Sequence, residues 1–166
     1  MRAKPGAERI EVATGDFAGT RVAGEFALVF LIFNTIFDLV TQDAQVACFQ
    51  NAAAHLRSSG RFVIETRVPA VQSLPPGETV LPIRAGPEGF SFSVYDVVTQ
   101  RFSNQHFYLV DGTLEAFPAE FRYAWPAELD LMARLAGMRL QDRWAGWGRE
   151  PFTSTSRSHV SVYEKP

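Results

Sequence analysis

Cysteine is nearly absent: Cys48 stands alone among 166 residues. An internal disulfide and a cysteine-based zinc site are therefore both excluded, as suits a reducing cytosol. No apolar run approaches the ~20 residues that a membrane-crossing helix requires. The amino terminus, Met1 to Gly6, carries basic residues but no apolar core behind them, so it does not read as a secretory signal. These two absences predict a cytoplasmic chain with no membrane partner. Charge of one sign is missing as well. Sixteen basic and eighteen acidic residues are interspersed for a net charge of −2, leaving no basic stripe to neutralise phosphates. Nucleic acid is not an expected partner. The chain has no internal repeat, no low-complexity tract, no Ser-His-Asp set, no metal-ligand cluster and no G-x-G-x-G run.

What is present is apolar and aromatic. A hydrophobic content of 46% with fourteen phenylalanines suffices to bury one core, so residues 1–166 read as a single domain. The feature that organises the chain is Phe26 to Phe37, an apolar run interrupted only by Asn34-Thr35. A run without polar alternation predicts a strand covered on both faces, the pattern of a parallel sheet. In open α/β sheets ligands bind outside the carboxyl ends of the strands, which puts Phe33, Asn34 and Thr35 where a ligand is expected.

The remaining elements follow from pattern. Arg9 to Thr14 alternates weakly and predicts a short strand before the turn at Gly15-Asp16-Phe17. Thr41 is placed to cap a helix from Gln42 to about Ser58, with Val46, Phe49, Ala53 and Leu56 as its buried stripe, Cys48 and His55 away from it, and Gly60 as its stop. Arg61 to Val68 then predicts a strand parallel to the first, with Glu65 near its end. Pro69 to Gly89 is rich in proline and glycine and reads as a long surface connection. Phe90 to Val98, Arg101 to Val110 and Thr113 to Tyr123 read as strands, the last two joined by a hairpin at Asp111-Gly112. They form an inserted antiparallel sheet, within a β-rich segment 70–123. Phe90, Phe92, Tyr95, Phe102, Phe107, Tyr123 and Trp125 read mainly as the core of that insert, with some able to line a pocket as well. Pro126 opens a second helix that Gly137 ends, and Arg139 to Trp144 and His159 to Glu164 predict the last two strands.

In chain order, Gly15-Asp-Phe-Ala18, Phe33-Asn-Thr-Ile36, Gly60-Arg-Phe-Val-Ile-Glu65 and Arg122-Tyr-x-Trp-Pro-x-Glu-Leu-Asp-Leu-Met-Ala133 resemble successive motifs of class I S-adenosylmethionine-dependent methyltransferases. The likeness is greatest to the small-molecule and amino-sugar N-methyltransferase group, and it covers nearly the whole chain. The resemblance implies an α/β fold with a Rossmann-like sheet in the order 3-2-1-4-5-7-6 and strand 7 antiparallel. On that map Arg9 to Thr14 is strand 3, Phe26 to Phe33 strand 4 and Arg61 to Val68 strand 5, with the two C-terminal strands as 6 and 7. The sheet is truncated to strands 3, 4, 5, 7 and 6, because strand 1 with its glycine-rich loop and strand 2 have no counterpart in this sequence.

The same resemblance implies S-adenosylmethionine as cofactor. Asp16 would bind the adenine amino group with Gly15 and Phe17 beside it, and Phe33, Asn34 and Thr35 would line the sulfonium end. Glu65 and His106 are the candidate bases, and Tyr108, Tyr123 and Trp125 the candidate substrate-binding residues, on a small-molecule acceptor. The expected activity is methyl transfer in a longer form or with a complementary chain. The alternative is an inactive fragment serving as a binding or dimerisation module. Without strands 1 and 2, Phe26 to Phe33 would present an open apolar edge, a template for pairing with strand 3 or with a second chain as a homodimer.

Overall fold

A computed structural model of the chain describes residues 10–166. It contains strands β1 (Phe26–Leu31), β2 (Leu56–Arg67), β3 (Val80–Gly86), β4 (Gly89–Asp96), β5 (Arg101–Val110), β6 (Thr113–Arg122), β7 (Arg139–Trp144) and β8 (Ser158–Glu164), and helices α1 (Gln42–His55) and α2 (Pro126–Leu135). Two four-stranded sheets result, one in the order β1-β2-β8-β7 and the other in the order β3-β4-β5-β6. β1 and β2 are parallel, while β8 runs antiparallel to both of its neighbours. This is the 4-5-7-6 half of the expected Rossmann-like sheet, with the expected antiparallel strand.

Local chemistry accounts for the element ends. Thr41 Oγ1 accepts the Ala44 N–H at 3.1 Å and caps α1. Pro126 starts α2, and Gly137 at φ 74° ends it. The hairpin at Asp111-Gly112 has φ of 49° and 78°, the left-handed pair that its two residue types favour. At the tight corner Gly89, with φ of 146°, an added Cβ would lie 2.0 Å from the Phe107 carbonyl oxygen, so no other residue fits.

Phe49, Phe62 and Tyr163 meet at ring separations of 5.1 to 6.5 Å in the centre of the core. Ile36, Leu56, Ile64, Leu129 and Met132 close around them.

Four expectations need correction. Residues 10–14 form no strand, with Ile10 and Val12 largely exposed, and Arg9 lies outside the described residues. Strand 3 therefore neither forms nor moves beside β1, whose outer edge has no partner among the described residues. β1 is not covered on both faces. Phe26, Leu28 and Phe30 are 39%, 52% and 61% exposed, while Val29 and Leu31 on the opposite face pack on the core. An edge position with one covered face explains this.

Helix α1 stops at His55 rather than Ser58, and β2 begins at the next residue, so Gly60 is a strand residue and not a helix stop. The stop is supplied from a distance: Lys165 Nζ donates to the carbonyls of Ala53 at 2.9 Å and Leu56 at 2.6 Å, satisfying acceptors that a helix end leaves open. Cys48 and His55 are buried members of α1, and burial pushes the Cys48 thiol up to about 12. Finally, Pro69 to Gly89 is not simply a connection. It contains β3, in which Pro82 is tolerated because β3 lies at a sheet edge.

Candidate functional site

At the carboxyl end of β1 the backbone turns through a conformation that bulky residues avoid. Phe33 and Asn34 both have φ of 61°, at a cost of roughly 1–2 kcal/mol for Phe33 and less for Asn34, whose residue type tolerates this region. Neighbours hold this shoulder in place. The Phe33 N–H donates to Glu65 Oε2 at 3.2 Å and the Asn34 N–H to the Glu65 carbonyl at 3.3 Å. Asn34 Oδ1 in turn accepts the Arg67 N–H at 2.7 Å, and Thr35 Oγ1 donates to the Ile32 carbonyl at 2.7 Å. The result is a Phe33 ring that is 79% exposed. Non-glycine strain that the surroundings over-determine is concentrated at functional sites.

The shoulder opens into a cavity of about 520 Å³. Its floor is the shoulder, the 3₁₀ turn Thr35–Asp38 and the carboxyl end of β2, where Arg67 is followed by Val68. Its roof is the inner face of the second sheet. Pairing of β4 with β5 sets Tyr95 opposite Phe102, Ser93 opposite Asn104 and Ser91 opposite His106, and alternation sends this row inward. Phe102 is the hub of the roof, with Tyr95 at 5.2 Å, Phe121 at 5.1 Å and Phe37 edge-on at 6.0 Å. Burial raises the Tyr95 and Tyr123 hydroxyls above their ordinary value, and partial desolvation does the same to the exposed Asp38 carboxyl. The chamber is therefore aromatic with a few convergent polar groups, the usual character of a small-ligand site.

A buried clasp holds roof to floor. Arg122 donates to Glu128 Oε1 at 2.6 Å and to Gln45 Oε1, and Gln45 Nε2 donates to the carbonyls of Ile36 at 3.0 Å and Arg122 at 2.9 Å. Gln42 and Gln100 complete the set on Glu128 at 2.7 and 2.8 Å. Burial alone would raise the Glu128 carboxyl. Hydrogen bonds from Arg122, Gln42 and Gln100, together with the Arg122 charge, outweigh it and hold Glu128 below its ordinary value.

On the far side of β1 lies a shallower apolar groove of about 370 Å³. Gly15, Phe17, Val22, Phe26 and Leu28 line it, with Asn51 and His55 from α1. Asn51 Nδ2 ties down the Phe17 and Thr20 carbonyls at 3.0 Å each, and His55 Nε2 accepts the Val22 N–H at 3.0 Å. Asn51 Oδ1 is left buried without a partner among the described residues.

The expected site residues are thus distributed. Phe33, Asn34, His106 and Tyr123 line the cavity, whereas Gly15 and Phe17 line the groove. Asp16 shapes its own turn, with Oδ1 accepting the Ala18 N–H at 2.9 Å. Thr35 and Glu65 support the shoulder. Tyr108 stacks with His106 at 6.3 Å and lies under the Arg84 guanidinium at 5.4 Å, beyond the cavity lining. Trp125 stands edge-on to Tyr123 at 6.2 Å, behind the cavity wall. Sequence reasoning missed Asp38, Arg67 and Asn104 as lining residues. For Asp38 a signal existed, since it is the one acid between Phe26 and Val40.

These residues fit one side of S-adenosylmethionine. The groove offers apolar surface, the Phe17 ring and an open buried acceptor in Asn51, and the shoulder offers the exposed Phe33 ring.

No protein-family model matches the chain. Comparison with solved structures finds the CcbJ methyltransferase from Streptomyces caelestis, with a TM-score of 0.86 and 36% identity, covering 99% of this chain and 67% of that one. The cypemycin N-terminal methyltransferase of a Streptomyces species is 29% identical over 161 residues, which are 94% of this chain and 65% of that protein. CalS10, an amino pentose methyltransferase from Micromonospora echinaspora solved with S-adenosylmethionine bound, shares the fold. Its TM-score is 0.62 at 18% identity, covering 92% of this chain and 63% of that one. The chain thus spans about two thirds of the length of these proteins.

Proposed function

Because this chain belongs to the class I S-adenosylmethionine-dependent methyltransferases, we propose that it forms the acceptor side of an enzyme that methylates a small molecule. The observation that carries the reading is the strained Phe33-Asn34 shoulder, which opens from the end of β1 into the roofed cavity. In this reading residues 1–166 act as one domain in a cytoplasmic setting, with segment 70–123 as the substrate-side insertion.

Gly15, Asp16 and Phe17 border the adenosine end of the cofactor, and Phe33, Asn34 and Thr35 its sulfonium end. When bound, the sulfonium supplies the methyl group. His106 and Tyr123 line the acceptor chamber, with Tyr108 and Trp125 behind them, and Glu65 acts through the shoulder it holds. Much of the rate of an in-line displacement comes from holding the reacting atoms in line and keeping water out, which a rigid shoulder and an aromatic roof can do. The relatives are methyltransferases, so the inactive binding module is not the favoured reading. The unpartnered edge of β1 is the place where a complementary chain or a second copy would complete the sheet.

Calorimetric titration of this chain with S-adenosylmethionine tests the reading. Saturable heat is expected, together with a rise in melting temperature that is reduced in Phe33→Ala. Absence of both heat and thermal shift at millimolar cofactor would refute cofactor binding by this chain.

A further inference from the structure

Among the described residues, the cavity lining holds one carboxylate. Asp38 closes the 3₁₀ turn that follows the strained shoulder, and among the described residues its side chain has no hydrogen bond and no ion pair. Its position is nevertheless well fixed. The two residues before it, Ile36 and Phe37, are buried at 0% and 5% exposure. The Phe37 N–H donates to the Asn34 carbonyl at 2.8 Å, and Gln45 of the clasp holds the Ile36 carbonyl. Glu65, by contrast, has its carboxylate engaged on the Phe33 N–H. A carboxylate left without a partner beside a chamber of aromatic faces matches a cationic guest, because ring faces attract ammonium groups and a carboxylate accepts their protons.

We infer that Asp38 is the residue that receives an acceptor ammonium in the cavity and takes its proton. The inference rests on the methyltransferase reading and deepens it, by assigning the acceptor a basic amine and the proton a destination. The step balances simply. The N–H bond breaks, its proton goes to Asp38, and the nitrogen keeps the electron pair. That lone pair then attacks the methyl carbon as the carbon–sulfur bond breaks with its electrons remaining on sulfur. The product is again an ammonium, which the Phe37, Phe102 and Tyr95 rings can face. The Asp38 side chain is exposed, and such desolvation as it undergoes beside the cavity raises its carboxyl above the ordinary value. The other titratable or charged groups on the cavity wall are Arg67, His106, Tyr95 and Tyr123. Burial raises the Tyr95 and Tyr123 hydroxyls further above neutral pH, and His106 is removed as a confounder by variant.

Two measurements test the inference, the first without cofactor. Benzylamine and its uncharged isostere benzyl alcohol are titrated calorimetrically into the wild-type chain, Asp38→Asn and Asp38→Glu at pH 7. Benzylamine affinity is expected to fall at least tenfold in Asp38→Asn and to recover in part in Asp38→Glu, with benzyl alcohol changed less than twofold. Equal weakening of both probes, or unchanged benzylamine affinity, would overturn the inference.

The second is the pH profile of methyl transfer to benzylamine, measured in the His106→Gln background with and without the further substitution Asp38→Asn. Without the carboxylate, kcat/KM is expected to be at least 30-fold lower at pH 7. The deficit should close as pH rises toward the amine's own pKa, where the free base no longer needs a proton acceptor. A deficit of constant size at every pH would mark a merely structural role and overturn the assignment. Loss of cofactor binding with the benzylamine difference intact would refute the methyltransferase reading and leave the amine site standing.

Discussion

The two sheets have four strands each but are stabilised differently. In the sheet β1-β2-β8-β7 every pairing except that of β7 with β8 joins segments far apart in sequence, and its inner strands are buried. Val160, Val162 and Tyr163 of β8 and Phe62 and Ile64 of β2 are all at most 6% exposed. In the sheet β3-β4-β5-β6 every pairing is between consecutive strands. Its inner face carries the cavity, and its outer face leaves Phe90 stacked on Phe107 at 4.8 Å with Phe90 42% exposed. The first sheet is stabilised mainly by burial, and the second by local hairpins, the clasp and the burial of one end of its inner face, at Tyr95. A ligand chamber sits at the seam, where the roof is anchored both by the polar clasp and by Tyr95 and Tyr123, which join the core that the first sheet buries.

Removing the clasp is the largest available test of that difference. Arg122→Ala leaves the buried Gln45 and the part-buried Glu128 carboxylate without their cationic partner, and a loss of about 3 kcal/mol is expected in urea denaturation. Hydrogen exchange should accelerate more in β3 to β6 than in β2 and β8. A loss under about 1 kcal/mol, the worth of an exposed ion pair, or equal acceleration in both sheets, would contradict the anchoring role.

The buried sheet should also respond to acid through His159, which is fully buried beside Arg143. Burial first, and then the Arg143 charge, lower His159 from its ordinary 6.5 to about 4. Between those values the unfolded chain binds a proton that the folded chain does not, so stability falls as pH drops from about 6.5 to about 4 and the loss is complete below that. The contribution is up to ~3 kcal/mol. Urea midpoints at pH 7 and pH 4.5 should show it, and His159→Asn should flatten the difference. An unchanged slope in that variant would remove His159 as the cause.

The smallest effect is expected at the seam itself. Phe33→Gly removes the left-handed penalty at one residue and should raise stability by about 1 kcal/mol, while weakening S-adenosylmethionine binding through loss of the ring. Lower stability together with unchanged binding would show that Phe33 is packed for structure and not held for function.

Much of the fold was legible because it depends on local chemistry. The Thr41 cap, the Pro126 and Gly137 bounds of α2 and the Asp111-Gly112 hairpin all behave as their residue types dictate. The parallel pairing of β1 with β2 followed from the helix between them. β3 was hidden because Pro82 and the surrounding glycines weaken a strand signal, and pairing with β4 overrides it. The helix stop at His55 was hidden because its cause, Lys165, is 112 positions from Ala53 and 109 from Leu56 in sequence.

The site divides along the same line. By itself the sequence determined that polar residues interrupt an apolar strand at Asn34-Thr35, that an aromatic insert follows, and that the motif order is that of a methyltransferase. The tertiary structure alone decided that Phe33 and Asn34 take left-handed backbone, that β1 is an exposed edge, and that Asp38 faces a chamber roofed by β4 and β5. It also decided that Arg122 and Gln45, 77 positions apart, clasp the second sheet to helix α1. The physical reason is range. Caps, turns and strand patterns are set by neighbours within a few residues, whereas strain, burial and ion pairing depend on groups that only folding brings together.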